Sequence, residues 1–267
     1  MATAPLARWY ATNGRHALPW RATRDRWAVL VAEVMLQQTQ VSRVVQVWDA
    51  FMAQFPDVDT AAAAGPGALI AAWGRLGYPR RARRLWETAT YVAEHGWPAD
   101  LSVLPGIGRY TAGAITAEAD DADTVALDTN IRRVVERVHG RLLTPSEADA
   151  GMRALGGRLA GRERLLALMD LGALVCTPRD PGCEQCPLHD RCATRAPLDG
   201  ERRARQAAYK GSFRQRRGIV LAALRLAPTP VAQLDGEALA SLVTDGLAEV
   251  TGAVAALPGG ARSAQCS

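Results

Sequence analysis

Four closely spaced cysteines are the residues of this chain best suited to chemistry. Cys176, Cys183, Cys186 and Cys192 are separated by six, two and five residues, and the only other cysteine is Cys266. Thiolates this close in sequence usually bind a metal, because short loops have little else to organise them. Two disulfides are the alternative, but the opening MATAPLARWY is no apolar signal segment and thiols stay reduced in the cytosol.

The spacing of these cysteines leaves the identity of the metal open. Zinc sites favour two close Cys-x-x-Cys pairs. One close pair flanked by longer gaps is typical of a cubane iron–sulfur cluster. A 4Fe–4S cluster therefore fits the gaps better, and zinc remains the alternative.

A glycine-rich segment, LPGIGRYTAGAI at residues 104–115, is the second candidate site. Gly106 and Gly108 interrupt two helical patterns, and a tight turn there leaves N–H groups unpaired at the start of the next helix. Such groups, together with the helix dipole, favour a phosphate oxygen. Glycines without side chains also let a nucleic-acid backbone approach closely. An ordinary helix–helix turn is the alternative.

Composition limits the class of protein. The chain has 267 residues, 48% of them hydrophobic, and a formal net charge of +5. Such a chain is globular, and no apolar run approaches the ~20 residues of a membrane span. The basic balance favours a polyanionic partner, although it is also compatible with a merely soluble surface. Lys210 is the only lysine, so nearly all of the positive charge is arginine.

Helical spacing of apolar residues dominates up to residue 217. Asp128 is predicted to cap a helix that ends at Gly140. The polar, arginine-rich residues 195–217 are predicted to form a linker or a DNA-facing arm. Residues 218–262 are predicted to form two helices and a hairpin, which together suggest a reduced winged helix. The other predicted helices begin at Trp27 or cover residues 41–55, 67–73, 80–94 and 111–118, and residues 164–175 lead into the cysteine segment.

Seven features in one order give the chain a family resemblance. Besides the cysteine spacing they are LPWR (18–21), AEVMLQQTQV (32–41), LGYPRRARRL (76–85), LPGIGRYTAGAI (104–115), ALDTNIRRV (126–134) and MDLGALVC (169–176). Together they resemble the iron–sulfur branch of the helix-hairpin-helix DNA glycosylases, most of all the MutY-type adenine DNA glycosylases. The resemblance covers roughly residues 8–217.

The resemblance implies an all-α fold with a 4Fe–4S cluster bound by the four cysteines. Residues 23–127 would form a six-helix barrel module containing the hairpin. Residues 1–22 and 128–217 would form the cluster module and linker, and residues 218–267 a small winged-helix-like region. The implied partner is double-stranded DNA with a mispaired or damaged base. A monomer without membrane attachment, in the cytoplasm and associated with the nucleoid, is expected.

Two carboxylates carry the implied chemistry. Glu33 matches the family's catalytic glutamate, and adenine leaves poorly unless an acid protonates it. A carboxyl group in a closed, partly apolar pocket has a raised pKa and can donate that proton. Asp128 matches the essential aspartate and is expected to stay ionised at its helix start, where it can stabilise an oxocarbenium-like sugar or attack it. Asn130 would help hold this site.

Tyr110 decides the subclass. In the related endonuclease III-type lyases a lysine at this point forms a Schiff base with the sugar, and here no lysine precedes residue 210. Covalent imine chemistry lacks its usual nucleophile. The implied enzyme is a monofunctional DNA N-glycosylase that leaves an abasic site, acting on adenine opposite 8-oxoguanine or guanine.

Further residues are candidates for contacting DNA, because a base that leaves the stack must be replaced and the backbone held. Gln37, Gln38 and Tyr78 match family positions that enter the duplex. Arg80, Arg81, Arg83 and Arg84 are candidate phosphate contacts. The remaining candidate DNA contacts are Arg21, Gly106, Gly108, Arg109 and Arg179.

Three departures from the family pattern bear on specificity. Leu30 stands where a tryptophan is frequent, Pro79 stands where a second tyrosine is frequent, and the region after residue 217 is too short for a Nudix-like recognition domain. The alternatives are a mismatch glycosylase that removes thymine or uracil opposite guanine, and a non-catalytic iron–sulfur protein that binds DNA.

Overall fold

Apolar residues at helical spacing form helix through most of the chain, as predicted. The computed structural model describes residues 5–201 and 208–259. No helix in these ranges is long and apolar enough to cross a membrane. The described helices are α1 (Pro5–Asn13), α2 (Arg26–Leu36), α3 (Val41–Gln54), α4 (Val58–Ala72), α5 (Arg80–His95), α6 (Arg109–Asp120), α7 (Thr129–His139), α8 (Pro145–Gly156), α9 (Gly161–Leu174), α10 (Phe213–Leu226) and α11 (Gly236–Thr244).

Helix α7 begins and ends where the sequence predicted. The Asp128 side chain accepts a hydrogen bond from the backbone N–H of Ile131 at the first turn. Gly140 ends the helix in the left-handed conformation, with φ of 73°. A residue without a side chain adopts this conformation at little cost, which explains the glycine. This cap fixes the direction in which the Asp128 carboxylate points.

The chain divides into two compact units, each assembled from two separate segments. The first unit comprises residues 1–33 and 107–205, and the second comprises residues 34–106 and 206–267. In the first unit, α9 packs against α1, α6 and α7, and α7 packs against α8. Ile131, Val135, Leu165 and Leu168 are fully buried in its core. The predicted module boundaries at residues 22, 127 and 217 stay predictions.

In the second unit, α4 packs against α5. The predicted tail of two helices and a hairpin is confirmed by α10, α11 and the antiparallel strands β2 (Glu249–Thr251) and β3 (Val254–Ala256). A short strand that precedes them in the chain, β1 (Thr229–Pro230), adds to the other side of β3. The tail packs on this unit through polar contacts. Arg225 donates to the Ile70 carbonyl at 3.1 Å, and the Asp245 carboxylate pairs with Arg80 and Arg217.

Candidate active site

Helix α2 carries Glu33 into the interior. Its neighbours Leu30, Val31 and Met35 are fully buried, and Glu33 itself is only 5% exposed. A helix that is apolar on most sides is enclosed by the protein rather than lying at its surface. The carboxyl group is therefore removed from bulk water, which disfavours its charged form.

The surroundings of Glu33 favour its protonated form. Burial, together with the negative charges of Glu118 and Asp128, raises the pKa of Glu33 to about 8. A hydrogen bond with the Tyr110 side chain and the charge of Arg21 oppose this increase. Near neutral pH the side chain therefore holds a proton that it can donate. The Tyr110 hydroxyl is placed to stabilise the carboxylate that remains.

Asp128 is held by two short hydrogen bonds. Its Oδ1 accepts from the backbone N–H of Ile131 at 2.6 Å, and its Oδ2 accepts from Nδ2 of Asn130 at 2.7 Å. Burial nevertheless raises the pKa of Asp128, against the effect of these hydrogen bonds. Burial thus acts against the helix dipole, which favours the charged form, and the predicted ionisation of Asp128 stays a prediction. Asn130 lies beside Asp128, as predicted.

A chain of hydrogen bonds leads from Asp128 to the cysteine segment. Arg133 donates to Oδ1 of Asn130 at 2.9 Å and to the main-chain carbonyls of Cys176 at 2.7 Å and Gly172 at 2.7 Å. Arg133 is only 9% exposed. One buried guanidinium thus connects Asn130, which supports Asp128, to the main chain of the first cysteine.

Arg21 is reassigned by the structure. Two of its guanidinium nitrogens donate to the Asp170 carboxylate, at 2.6 and 2.8 Å, and its side chain is 5% exposed. Arg15 donates to the same carboxylate through its backbone N–H at 2.8 Å and its Nε at 2.6 Å. A phosphate could reach Arg21 only by breaking the bidentate pair, so the prediction of a DNA contact there is wrong. Arg21 instead acts on Glu33 through its charge.

Glu118 is a buried carboxyl group that no sequence pattern indicated. It stands in the acidic run EADDAD, which reads as a solvated surface, yet it is 4% exposed. Burial raises the pKa of Glu118, while the charges of Arg162 and Arg21 lower it. Only the three-dimensional packing of α6 against α9 reveals that this charge affects Glu33.

Tyr110 lies near the start of α6, directly after the hairpin, and its side chain contacts Glu33. Burial and the charges of Glu33 and Asp128 raise the pKa of Tyr110 well above its ordinary value. The side chain therefore remains a neutral phenol that donates a hydrogen bond. It carries no amine for imine chemistry.

The four cysteines of the cluster motif surround one cavity. Cys176, Cys183, Cys186 and Cys192 are free thiols that line it together with Arg137, so the alternative of two disulfides is excluded. Burial raises the pKa of Cys176, and it raises the pKa of Cys186 to about 11. In the described ranges no three His, Cys, Asp or Glu side chains lie close enough to bind a single metal ion.

Arg137 is the charged neighbour of these thiols. Its Nη1 lies 3.5 Å from Sγ of Cys176, and its side chain is 2% exposed. Glu201 balances its charge at 2.6 Å. A fixed guanidinium beside a sulfur favours the thiolate, the form that binds metal. The four side chains and this cation fit an anionic iron–sulfur group.

The candidate DNA contacts of the second unit lie on exposed turns. Gln37 is partly exposed and Gln38 exposed at the end of α2, and Tyr78 is 40% exposed. Gly106 has φ of 76°, and a Cβ there would lie 2.6 Å from Cδ of Arg84. That position therefore requires glycine. The roles of these residues stay predictions.

The first unit carries the remaining candidates. Gly108 is exposed and caps α6, and a Cβ there would meet no atom within 4 Å, so an approaching backbone has room. Arg109 is exposed and pairs with Asp149, and Arg179 is exposed in the cysteine segment. These side chains are accessible to a phosphate.

The arginine run of α5 is mostly engaged within the protein. Arg80 pairs with the Asp245 carboxylate, and Arg83 donates to the Asp245 main-chain carbonyl at 2.6 Å. Arg81 is buried, so the predicted phosphate contact is wrong for that residue. Arg84 is exposed.

Comparison with known proteins gives several relatives. Residues 31–154 match a family described as HhH-GPD superfamily base excision DNA repair protein. The adenine DNA glycosylase of Mycolicibacterium smegmatis is 44% identical, over 92% of this chain and 92% of that protein. The adenine DNA glycosylase of Homo sapiens is 36% identical, over 78% of this chain and 42% of the human protein.

Solved structures share the fold. A thermostable thymine-DNA glycosylase superposes with a TM-score of 0.60 at 27% identity, covering 71% of this chain and 92% of that one. A non-covalent endonuclease III–DNA complex superposes with a TM-score of 0.61 at 20% identity, covering 73% and 97%. The predicted all-α, helix-hairpin-helix fold is confirmed by these neighbours and by the family match.

Proposed function

Because this chain belongs to the adenine DNA glycosylases of the HhH-GPD superfamily, we propose that it cleaves the N-glycosidic bond of an adenine opposite 8-oxoguanine or guanine. The chain is a DNA N-glycosylase of base excision repair that removes adenine. The proposal extends this activity to the opposite base and to the roles of individual residues. The observation that carries it is the buried pair of Glu33 and Asp128, whose charges interact within one unit.

Glu33 acts as the general acid. As the bond between the sugar and adenine breaks, its electron pair moves onto the base, and a proton from Glu33 neutralises the charge that develops there. Tyr110 then stabilises the glutamate carboxylate by donating its hydroxyl hydrogen. Because burial raises the pKa of Glu33 to about 8, the acid form is available at neutral pH.

Asp128 stabilises the sugar. In its ionised form it opposes the positive charge of the oxocarbenium-like sugar until water attacks, and the proton that water loses restores the acid form of Glu33. The hydrogen bonds from Asn130 and Ile131 fix its two oxygens. Tyr110 replaces the lysine of the lyases, so the product is an abasic site without strand cleavage. The enzyme is monofunctional.

Cys176, Cys183, Cys186 and Cys192 would bind a 4Fe–4S cluster, which supplies a structural cross-link for the cysteine segment. Support comes from their shared cavity and from the Arg137 guanidinium at Cys176. Zinc remains the competing metal. The cluster takes no part in bond cleavage.

The substrate is double-stranded DNA. Gln37, Gln38 and Tyr78 enter the base stack at the mispair, while Gly106, Gly108, Arg109 and Arg179 contact the backbone. Their exposure supports this assignment. The protein acts as a monomer at the nucleoid, in the cytoplasm.

A base-release panel tests the proposal. Duplexes with adenine, thymine, uracil or a damaged base across each of the four bases and 8-oxoguanine are incubated with the wild type, Glu33→Gln and Asp128→Asn. Release of adenine opposite 8-oxoguanine or guanine, lost in both variants, is expected. Preferential release of thymine or uracil opposite guanine, retained by Glu33→Gln, would replace the proposal by the pyrimidine alternative. Duplex binding without any release would indicate a non-catalytic protein.

A further inference from the structure

Arg81 is a buried cation without a carboxylate partner. It is 8% exposed, and the ion pairs of residues 5–201 and 208–259 do not include it. Burial lowers the pKa of Arg81 to about 10, which still leaves it charged at neutral pH. A charge taken out of water costs free energy unless other groups satisfy it. The groups that satisfy Arg81 therefore indicate why the fold retains it.

The acceptors of Arg81 come from two separate turns. Nη1 donates to the main-chain carbonyls of Val34 at 2.7 Å, Met35 at 3.1 Å and Gln37. These carbonyls end helix α2, where the dipole favours a cation. Nη2 donates to Oγ1 of Thr39 at 2.9 Å and to the Gly77 carbonyl at 3.0 Å. One rigid guanidinium thus links the end of α2 and the turn that follows it to Gly77, the residue before Tyr78.

Two aromatic rings enclose the same guanidinium. Its central carbon lies 5.2 Å from the ring centre of Trp73 and 5.4 Å from that of Tyr78. Trp73 also donates through Nε1 to the Gly77 carbonyl at 3.0 Å. Cations at this distance are attracted to a ring face. Arg81 therefore contacts the exposed Tyr78 ring and favours the orientation in which the ring face meets the guanidinium.

Both turns contain a strained residue. Gln38 has φ of 54° and Tyr78 has φ of 48°, in the left-handed region that side chains other than glycine rarely adopt. Such strain persists only where surrounding contacts hold it, and it is concentrated at functional sites. The hydrogen bonds and ring contacts of Arg81 are contacts of this kind.

We propose that Arg81 is a positioning residue for insertion into the duplex: it holds Gln38 and Tyr78 at the separation and orientation that both need to enter the base stack together. This inference rests on the insertion role given to these residues in the proposed function. Arg81 itself does not contact DNA. Lysine keeps the charge but presents one compact donor group, which cannot satisfy five acceptors on two turns.

The test compares wild type, Arg81→Lys, Tyr78→Ala and the double variant. Single-turnover adenine release is measured on an intact duplex with adenine opposite 8-oxoguanine. It is also measured on the same duplex with a one-nucleotide gap beside the opposite base, where the stack is already interrupted. Fluorescence of a 2-aminopurine next to the adenine reports insertion independently of excision. Arg158→Lys makes the same substitution at an exposed position of the first unit and serves as the control.

Arg81→Lys is expected to slow release from the intact duplex by about 10- to 100-fold, a loss typical of a misplacement of ~1 Å. The same variant should reduce the 2-aminopurine fluorescence change by a similar factor. On the gapped duplex, its rate of adenine release should fall by less than about 3-fold. The double variant should lose less than the product of the two single losses, because residues that act together are not additive. Thr39→Val, which deletes one acceptor, should give a smaller loss in the same direction if Arg81→Lys folds poorly.

The inference would be overturned if Arg81→Lys slowed adenine release by the same factor on the intact and gapped duplexes. It would also be overturned if the loss of rate in the double variant equalled the product of the two single losses. An unchanged rate in Arg81→Lys would overturn it as well. If the wild type released no adenine from either duplex, the proposed function would fail. The fluorescence change would then still decide the role of Arg81.

Discussion

Asn130 donates its side-chain amide to Oδ2 of Asp128 at 2.7 Å, while its own Oδ1 accepts from Arg133 at 2.9 Å. The amide is thereby fixed at both ends. Arg133 sets the orientation of the amide. A guanidinium can only donate hydrogen bonds, so the amide oxygen must face Arg133 and Nδ2 must face the aspartate. The Asp128 carboxylate is therefore held by a side chain whose own orientation is fixed.

Asn130→Ala is expected to slow adenine release by about 10- to 100-fold, because a hydrogen bond to a charged group contributes about 1.5–3 kcal/mol. Single-turnover rates at saturating enzyme measure this loss, separately from any change in DNA binding. Asn13→Ala, at the exposed end of α1, is the matched control and should match the wild type. A wild-type rate in Asn130→Ala would contradict the assigned role.

The pH dependence of the reaction should report Glu33. Because burial raises the pKa of Glu33 to about 8, the rate should fall about tenfold per pH unit above that value as the acid loses its proton. Glu33→Gln should lose about 10²- to 10⁴-fold in rate and lack this descending limb. A single-turnover pH–rate profile measures both effects. A flat wild-type profile up to pH 10 would contradict the assignment.

Glu33 should also destabilise the fold at high pH. Its pKa is about 8 in the folded state and 4.5 ordinarily, so folding binds a proton between these values and stability falls as pH rises through them. Glu33→Gln should therefore raise the free energy of unfolding at pH 8 by on the order of 3 kcal/mol more than at pH 5. Denaturant titrations at the two pH values measure this difference, and an equal effect at both would refute it.

Glu118 should affect the pH at which the rate begins to fall, although it does not contact the substrate. Its charge raises the pKa of Glu33, so Glu118→Gln should move the descending limb to lower pH. The rate near pH 6 should stay close to that of the wild type. Glu163→Gln removes the same charge from an exposed site on α9 and should leave the profile unchanged. A uniform loss at every pH would show a merely structural role for Glu118.

Tyr110 should account for the absence of a covalent intermediate. The wild type is expected to give no borohydride-trapped complex with abasic DNA, whereas Tyr110→Lys places an amine beside Glu33 and should give one. Tyr110→Phe is the control, because it removes the hydroxyl without adding an amine. Gel separation after borohydride treatment measures the complex. Efficient trapping of the wild type would show that another amine acts as nucleophile.

The cysteine segment should contain iron. The purified protein should absorb at about 400 nm and contain about four iron atoms per chain, and Cys183→Ser or Cys186→Ser should lose both. Cys266→Ser is the matched control, since this cysteine lies outside the motif and outside the described residues. Elemental analysis that finds about one zinc ion and no iron would select the zinc alternative.

Helix positions with clear periodicity were predictable from local sequence. Asp128 and Gly140 bound α7 in the structure because capping depends on residues within one turn. Helix α8 was not predicted, although Thr144 and Glu147 form a capping box that signals its start. Helix α4 begins at Val58 in the structure, but only its part from residue 67 was predicted. The kink at Gly65 separates this part from the first turns of the helix.

The charged interior could not be read from the sequence. Arg21 and Asp170 are separated by 149 residues, and no local pattern joins them. Arg81 is indistinguishable from its neighbours in the run RRARR, yet burial and two turns give it a different role. The resemblance placed Glu33, Asp128 and Asn130, which the structure brings together. It could not indicate Glu118, because a glutamate in an acidic run reads as solvated.

The second unit is formed by residues 34–106 and 206–267, so its two parts leave the ribosome a hundred residues apart. Until Asp245 is synthesised, the nascent chain exposes Arg80 and Arg83 without the carboxylate and carbonyl that receive them. The Ile70 carbonyl likewise lacks its hydrogen-bond donor until Arg225 has been synthesised. Incomplete domains of this kind are prone to aggregate and to need chaperones. A chain truncated before residue 206 would leave Arg80 and Arg83 without these partners and is expected to aggregate rather than to form a smaller enzyme.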